Sequence, residues 1–284
     1  MPRTPSPTVR GRRLRYELRR LREQAGLTRD EVARRLEWSG SKISRIETGQ
    51  SRAQTGDVRD LLEIYGVTGA ETEALVQLAR EGRKRGWWTA YNDVFTGTYV
   101  GLEAETSAMR TYQPQIIPGL LETEDYARAL IRAGLVRADP DEIDRRVKAR
   151  MARQDVLTRP DAPAIWAVLD EPAIRRPVGG AAVMSAQLRH LIEVTAAPNS
   201  KITLQILPLA VGSHPGLSGP FVILDFPSAE DPSVVYLETA TDGLYLEETA
   251  EIERYTLMFD HLRASALSSS ESAGLIARMA DETA

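Results

Sequence analysis

Leu27-Thr-Arg-Asp-Glu-Val-Ala-Arg-Arg-Leu-Glu-Trp-Ser-Gly-Ser-Lys-Ile-Ser-Arg-Ile-Glu-Thr-Gly-Gln50 is the stretch on which the reading of this chain turns. Thr28 followed three residues later by Glu31 is a capping-box pattern, and it opens a short helix carrying Val32, Ala33 and Leu36. A second short helix opens near Ser39, buries Ile43 and Ile46, and ends at Gly49. The turn between them spans Glu37 to Ser39. Val32, Leu36, Trp38, Ile43 and Ile46 fall where the two helices must face each other and a preceding helix, and Ala33 is small where the helices cross most closely. The outward set of the second helix is then Gly40, Ser41, Lys42, Ser44 and Arg45.

Those outward residues are small or hydrogen-bonding, on a face that fits a major groove about 12 Å wide. Arg45 carries the forked donors that pair with guanine O6 and N7. Lys42 can do likewise or hold a phosphate, the serines can meet base or backbone, and Gly40 permits close approach. Arg29, at the start of the first helix, is placed for backbone phosphate, where the helix N-terminus adds partial positive charge. Arg29 and Arg45 are both expected to be exposed. Arg10, Arg12, Arg13 and Arg15 could add nonspecific or minor-groove contacts. The competing reading is a three-helix protein-interaction module with an ordinary solvated face. Agreement of cap, small crossing residue, apolar spacing and basic outer face favours a helix-turn-helix that binds double-stranded DNA.

Working outward, Leu14, Leu18 and Leu21 give a preceding helix an apolar stripe that Gly26 stops. Val58, Leu61, Leu62 and Tyr65 mark a fourth helix ending at Gly66, and Leu75, Val76, Leu78 and Ala79 a fifth over about 70–85. The expected architecture is an all-α five-helix helix-turn-helix domain (11–86) followed by an α+β domain (99–284). A flexible basic arm (1–10) precedes the first domain, and an aromatic connector (87–98) with Trp87, Trp88, Tyr91 and Phe95 joins the two. In the second domain helices are expected at about 99–111, 123–134, 140–158, 180–196, 248–266 and 269–281. Strands are expected at 164–169, 201–207, 220–226 and 233–238.

The net charge of −4 over 284 residues conceals two regions of opposite sign. Residues 1–86 hold 19 Lys+Arg against 12 Asp+Glu, a net of +7, and residues 87–284 hold 17 against 28, a net of −11. Only the first is built for a polyanion. With no cysteine, thiol chemistry is excluded, and His190, His214 and His261 lack metal-ligand spacing, so neither metal nor cofactor is expected. No run of about 18 apolar residues and no secretory leader is evident, so no membrane partner is expected and the cytoplasm is the expected compartment. Asp170 and Glu171 end an apolar strand. Adjacent strand residues point to opposite faces, which makes them a structural ion pair or helix cap before a catalytic pair. Gly212-Ser-His-Pro-Gly-Leu-Ser-Gly-Pro220 matches neither a phosphate loop nor a nucleophile turn and reads as a connecting loop. The protein is not expected to be an enzyme.

Leu14 to Gly66 resembles the helix-turn-helix of the XRE regulators, with Ile43-Ser-Arg-Ile-Glu-Thr-Gly49 matching their recognition helix and the turn after it. Glu37 stands where that turn usually has glycine. A positive φ is costly for glutamate, so a differently shaped turn is expected. Arg85-Gly-Trp-Trp88, Gly101-Leu-Glu-Ala-Glu105, Pro118-Gly-Leu-Leu-Glu-Thr-Glu-Asp-Tyr-Ala-Arg128, Trp166-Ala-Val-Leu-Asp-Glu171, Arg176-Pro-Val-Gly-Gly180 and Gly219-Pro-Phe221 extend the similarity to the actinobacterial WhiJ-like, antitoxin-like regulators. That resemblance implies a DNA-binding transcriptional regulator, often encoded beside a small partner protein, with an α+β domain of undefined ligand. A homodimer is expected because one short recognition helix reads too few bases. Two alternatives are an antitoxin whose main role is sequestering the small partner, and an enzymatic C-terminal domain.

Overall fold

A computed structural model describes residues 9–81, 87–91, 93–95, 99–135, 137, 139–228, 231–239 and 243–283. The chain forms two compact units, Met1–Glu105 with Ser228–Pro232, and Thr106–Pro227 with Ser233–Ala284.

The first unit contains α1 (Val9–Gln24), α2 (Arg29–Arg35), α3 (Gly40–Glu47), α4 (Thr55–Ile64) and α5 (Ala70–Glu81), then a 3-10 turn at Trp87–Tyr91 and α6 (Tyr99–Glu105). Leu18, Val32, Ile43, Ile46, Val58, Leu62 and Val76 are buried together, the inward stripes of α1 to α5 meeting in one core. Each such side chain contributes about 1.5–3 kcal/mol. Leu36 and Trp38 pack against its margin. Residues 1–8 of the expected arm and 82–85 of the expected fifth helix lie outside the described residues. The rest of the arm is not loose. Val9 and Arg10 already belong to α1, which also carries Arg12, Arg13 and Arg15; Arg12 is buried and Arg10 is ion-paired to Glu81. Trp87, Tyr91 and Phe95 meet edge to face, with centroids 5.9–6.2 Å apart.

The second unit contains β1 (Ala108–Gln113), α7 (Glu124–Gly134), α8 (Pro140–Arg153), β2 (Ala164–Asp170), α9 (Glu171–Arg175), α10 (Ala181–Ala196), β3 (Ile202–Leu207), β4 (Phe221–Asp225), β5 (Val234–Glu238), β6 (Gly243–Leu246), α11 (Thr249–Ser265) and α12 (Ser269–Thr283). The strands form one mixed sheet in the order β3-β2-β1-β4-β5-β6, which makes the unit α+β as expected. β1, β2 and β3 run parallel, with Tyr112 opposite Val168 and Leu169 opposite Ile206. β4 pairs antiparallel to β1, Tyr112 opposite Phe221. Tyr112, Val168, Phe221, Ile223, Val235, Phe259 and Leu262 form a core between the sheet and α11. The β3 edge is covered: Leu267 N donates to Ile206 O (2.9 Å), and Ile206 N donates to Ser272 Oγ (2.9 Å). Those bonds occupy backbone groups that an open edge would offer to another chain.

One expected helix is corrected. The stretch at about 99–111 divides into α6 and the central strand β1. Polar residues of β1 find partners across the sheet: Arg110 makes a paired bond to Asp225 (Nη2–Oδ1 3.1 Å, Nε–Oδ2 3.2 Å), and Thr111 Oγ1 donates to Phe221 O. Neither partner lies nearby in sequence, so no apolar run announced the strand.

Candidate nucleic-acid interface

Local chemistry sets the two helices at the centre of the first unit. Thr28 Oγ1 accepts from Glu31 N, and Glu31 Oε2 accepts from Thr28 N (2.8 Å), completing the capping box that starts α2. At its other end Trp38 N donates to Ala33 O (2.8 Å) and Glu37 N to Arg34 O (3.3 Å). This is the Schellman pattern, the same bonding that Gly26 and Leu27 give the end of α1 and that Gly66 and Val67 give the end of α4. Glu37 occupies the left-handed position at φ +53°. The differently shaped turn expected from glutamate is therefore not formed; the bonding of the turn outweighs a cost of roughly 1–2 kcal/mol.

Ile43 and Ile46 anchor α3 in the core, leaving Gly40, Ser41 and Arg45 exposed and Lys42 and Ser44 half-buried. Ser39 and Ser41 hydroxyls lie 3.2 Å apart at the helix start. The three cations expected on the outer surface differ in how they are committed. Among the described residues Arg45 makes no ion pair and no side-chain hydrogen bond. Lys42 Nζ lies 2.6 Å from Asp57 Oδ1 and 3.4 Å above the centre of the Trp38 ring. Arg29 is 42% exposed, but its Nε donates to Glu47 Oε2 at 2.7 Å. The expectation of a simply exposed Arg29 is thus corrected.

Glu47 is the residue that sequence reading passed over. Its side chain is only 2% exposed and accepts from two arginines: Arg22 through Nε (2.6 Å) and Nη2 (3.2 Å), and Arg29. Arg22 is itself buried and donates through Nη1 to Leu27 O (2.8 Å). One carboxylate therefore ties the end of α3 to α1 and to the start of α2. The hydrogen bonds that Arg22 donates to Glu47 hold its guanidinium above its ordinary pKa. Burial, and then the Glu47 charge, push the nearby Tyr65 hydroxyl up as well. A sequence signal was present: Arg22 sits four residues after Leu18, and Glu47 four after Ile43, each on an inward stripe.

The second unit has polar groups at the carboxyl ends of β1 and β2. Asp170 caps α9, its Oδ1 accepting from Glu171 N (3.0 Å), and Glu171 pairs with Arg175 and accepts from Leu209 N. Tyr112 donates to Asp170 Oδ2 (3.0 Å), and burial with the Asp170 charge raises its pKa. His214 is buried beside them, Nε2 3.7 Å from the same oxygen and beyond hydrogen-bond reach. Gly216 approaches the Tyr112 ring so closely that a Cβ would come within 2.5 Å of it. The carboxylates are thus engaged in capping and ion pairing. Among the described residues no group of three or more His, Cys, Asp or Glu could hold a metal ion. Among them, too, no helix is long and apolar enough to cross a membrane.

A capped α2, a tight turn and a braced α3 with an exposed polar face define a helix-turn-helix domain, and residues 13–75 match the model of a helix-turn-helix domain. Residues 96–278, more than half of the chain, match a domain of unknown function (DUF5753), and the protein belongs to that family. No curated protein and no solved structure matches the chain.

Proposed function

We propose that the protein is a sequence-specific transcriptional regulator in which α3 enters the major groove of duplex DNA. The observation that carries this reading is the face formed by exposed Gly40, Ser41 and Arg45 with half-buried Ser44, on a helix braced from behind, with Arg45 free to meet a base edge. Arg29, at the start of α2 with 42% of its side chain exposed, is placed for phosphate. The +7 charge of residues 1–86 supports a polyanionic partner. In this reading the acidic second unit senses a ligand, docks a small protein encoded nearby, as in the WhiJ-like, antitoxin-like regulators, or forms the homodimer. It performs no catalysis, and the protein works in the cytoplasm. A dimer would place two α3 helices on inverted half-sites about 10 base pairs apart or a multiple of that.

Selection of bound duplexes from a random library, followed by fluorescence titration at several salt concentrations, tests the reading. A recovered consensus whose affinity falls steeply with salt is expected. No enrichment, or binding insensitive to salt, would refute it.

A further inference from the structure

Asp57 and Trp38 confine Lys42, and the geometry has a consequence for reading DNA. Lys42, in the first turn of α3, reaches back over Trp38, which precedes the helix, and stacks its ammonium on the indole face. The same ammonium reaches Asp57 on α4 at 2.6 Å. Asp57 cannot swing freely toward solvent with it, because Asp57 Oδ2 accepts from Gln54 N (3.0 Å) in the capping box that starts α4. Asp57 is 16% exposed and Lys42 35%, so solvent screens the contact only in part. To meet a base or a phosphate, Lys42 would have to leave a fixed carboxylate and an aromatic face together. Arg45, three residues further along α3, has neither constraint.

We infer that Lys42 is a positioning residue that ties α3 to α4 through Asp57 and Trp38, and that it takes no part in reading bases. Asp57 thereby limits the cationic readers of α3 to Arg45. This inference rests on the DNA-binding reading above for its consequence, but the clamp itself is a property of the free protein.

The test uses the full chain and has two arms. The chain has four lysines, Lys42, Lys84, Lys148 and Lys201, so selective lysine labelling resolves each side chain by NMR. In the free protein the Lys42 ε-methylene signal is expected upfield, shifted by the Trp38 ring, and Asp57→Asn should return it toward the ordinary lysine position. A Lys42 signal at the ordinary position in the unaltered protein would overturn the clamp whether or not DNA binds. In the second arm, Lys42→Met keeps the stem over Trp38 and removes the charge. It should leave base preference at every selected position and the slope of log K against log salt unchanged. Asp57→Asn should release the lysine, steepen that slope by about 0.9 and raise affinity for random duplex several-fold at low salt. Loss of one unit of slope, or of one base preference, in Lys42→Met would show a direct contact and overturn the inference. Failure of the unaltered protein to bind any duplex would refute the DNA-binding reading instead, with the NMR arm still deciding the clamp.

Discussion

Replacing Glu37 with glycine should make the N-terminal unit more stable, although the change deletes a charged side chain and adds no contact. Glu37 is exposed and sits at φ +53°, a region that costs an L-residue roughly 1–2 kcal/mol. Both bonds that close the turn, Trp38 N to Ala33 O and Glu37 N to Arg34 O, are made by backbone and survive the substitution. Glycine gives back part of the gain, about 0.4–1 kcal/mol, through the greater freedom of the unfolded chain. The balance is a stabilisation of about 0.5–1 kcal/mol, or about 2–8 °C in a unit of this size. Glu37→Ala is the control, since it removes the same charge but keeps the left-handed strain, and it should leave stability roughly unchanged. Thermal unfolding, with amide exchange followed over residues 28–47, measures the effect locally. A Glu37→Gly protein no more stable than Glu37→Ala would refute the argument from backbone strain.

Glu47→Ala should cost about 3–5 kcal/mol, because it strands the buried Arg22 without its carboxylate; Arg29→Ala, which removes a half-exposed partner, should cost about 0.5–1.5 kcal/mol. Urea unfolding checks the order, and equal losses would show that Glu47 does not depend on burial for its effect. Arg45→Ala should leave the melting temperature unchanged, cost about 1–3 kcal/mol on the selected operator and relax preference at one position. Competition against randomised duplexes measures it, and retention of full preference would remove Arg45 from the reading face. In the second unit, burial lowers the His190 pKa from its usual 6.5, against the pull of Glu193. The folded state therefore disfavours the imidazolium, and stability falls as pH drops through the unfolded value near 6.5 and levels off below the folded one. His190→Asn should flatten that part of the stability profile, and an unchanged slope between pH 7 and 5 would count against the assignment.

Much of the fold was legible because its determinants act within a few residues. The capping box at Thr28 and Glu31, the stops at Gly26, Gly49 and Gly66, and stripes such as Leu14, Leu18 and Leu21 each specify a local conformation. β2, β3, β4 and β5 announced themselves as apolar runs. β6, four residues from Gly243 to Leu246, was too short to do so. α9 is also short and follows directly from β2, with Asp170 serving both as the last strand residue and as the cap.

Charge assignment near α3 was where local reasoning stopped. From spacing alone, Arg29 is placed for phosphate, Arg45 for a base edge and Lys42 for either, and nothing in the spacing tells which of them is already paired within the chain. Folding separates them by supplying partners from elsewhere in the chain: Glu47 for Arg29, eighteen residues away, and Asp57 for Lys42, fifteen residues away. The same holds for β1, where Arg110 becomes a strand residue at the centre of a sheet because Asp225, 115 residues away, receives it. Helix ends and apolar stripes follow from short-range sterics and burial, so they can be read along the chain. Which polar group is committed and which is left free depends on partners that meet only when distant segments pack, and that distribution belongs to the folded molecule.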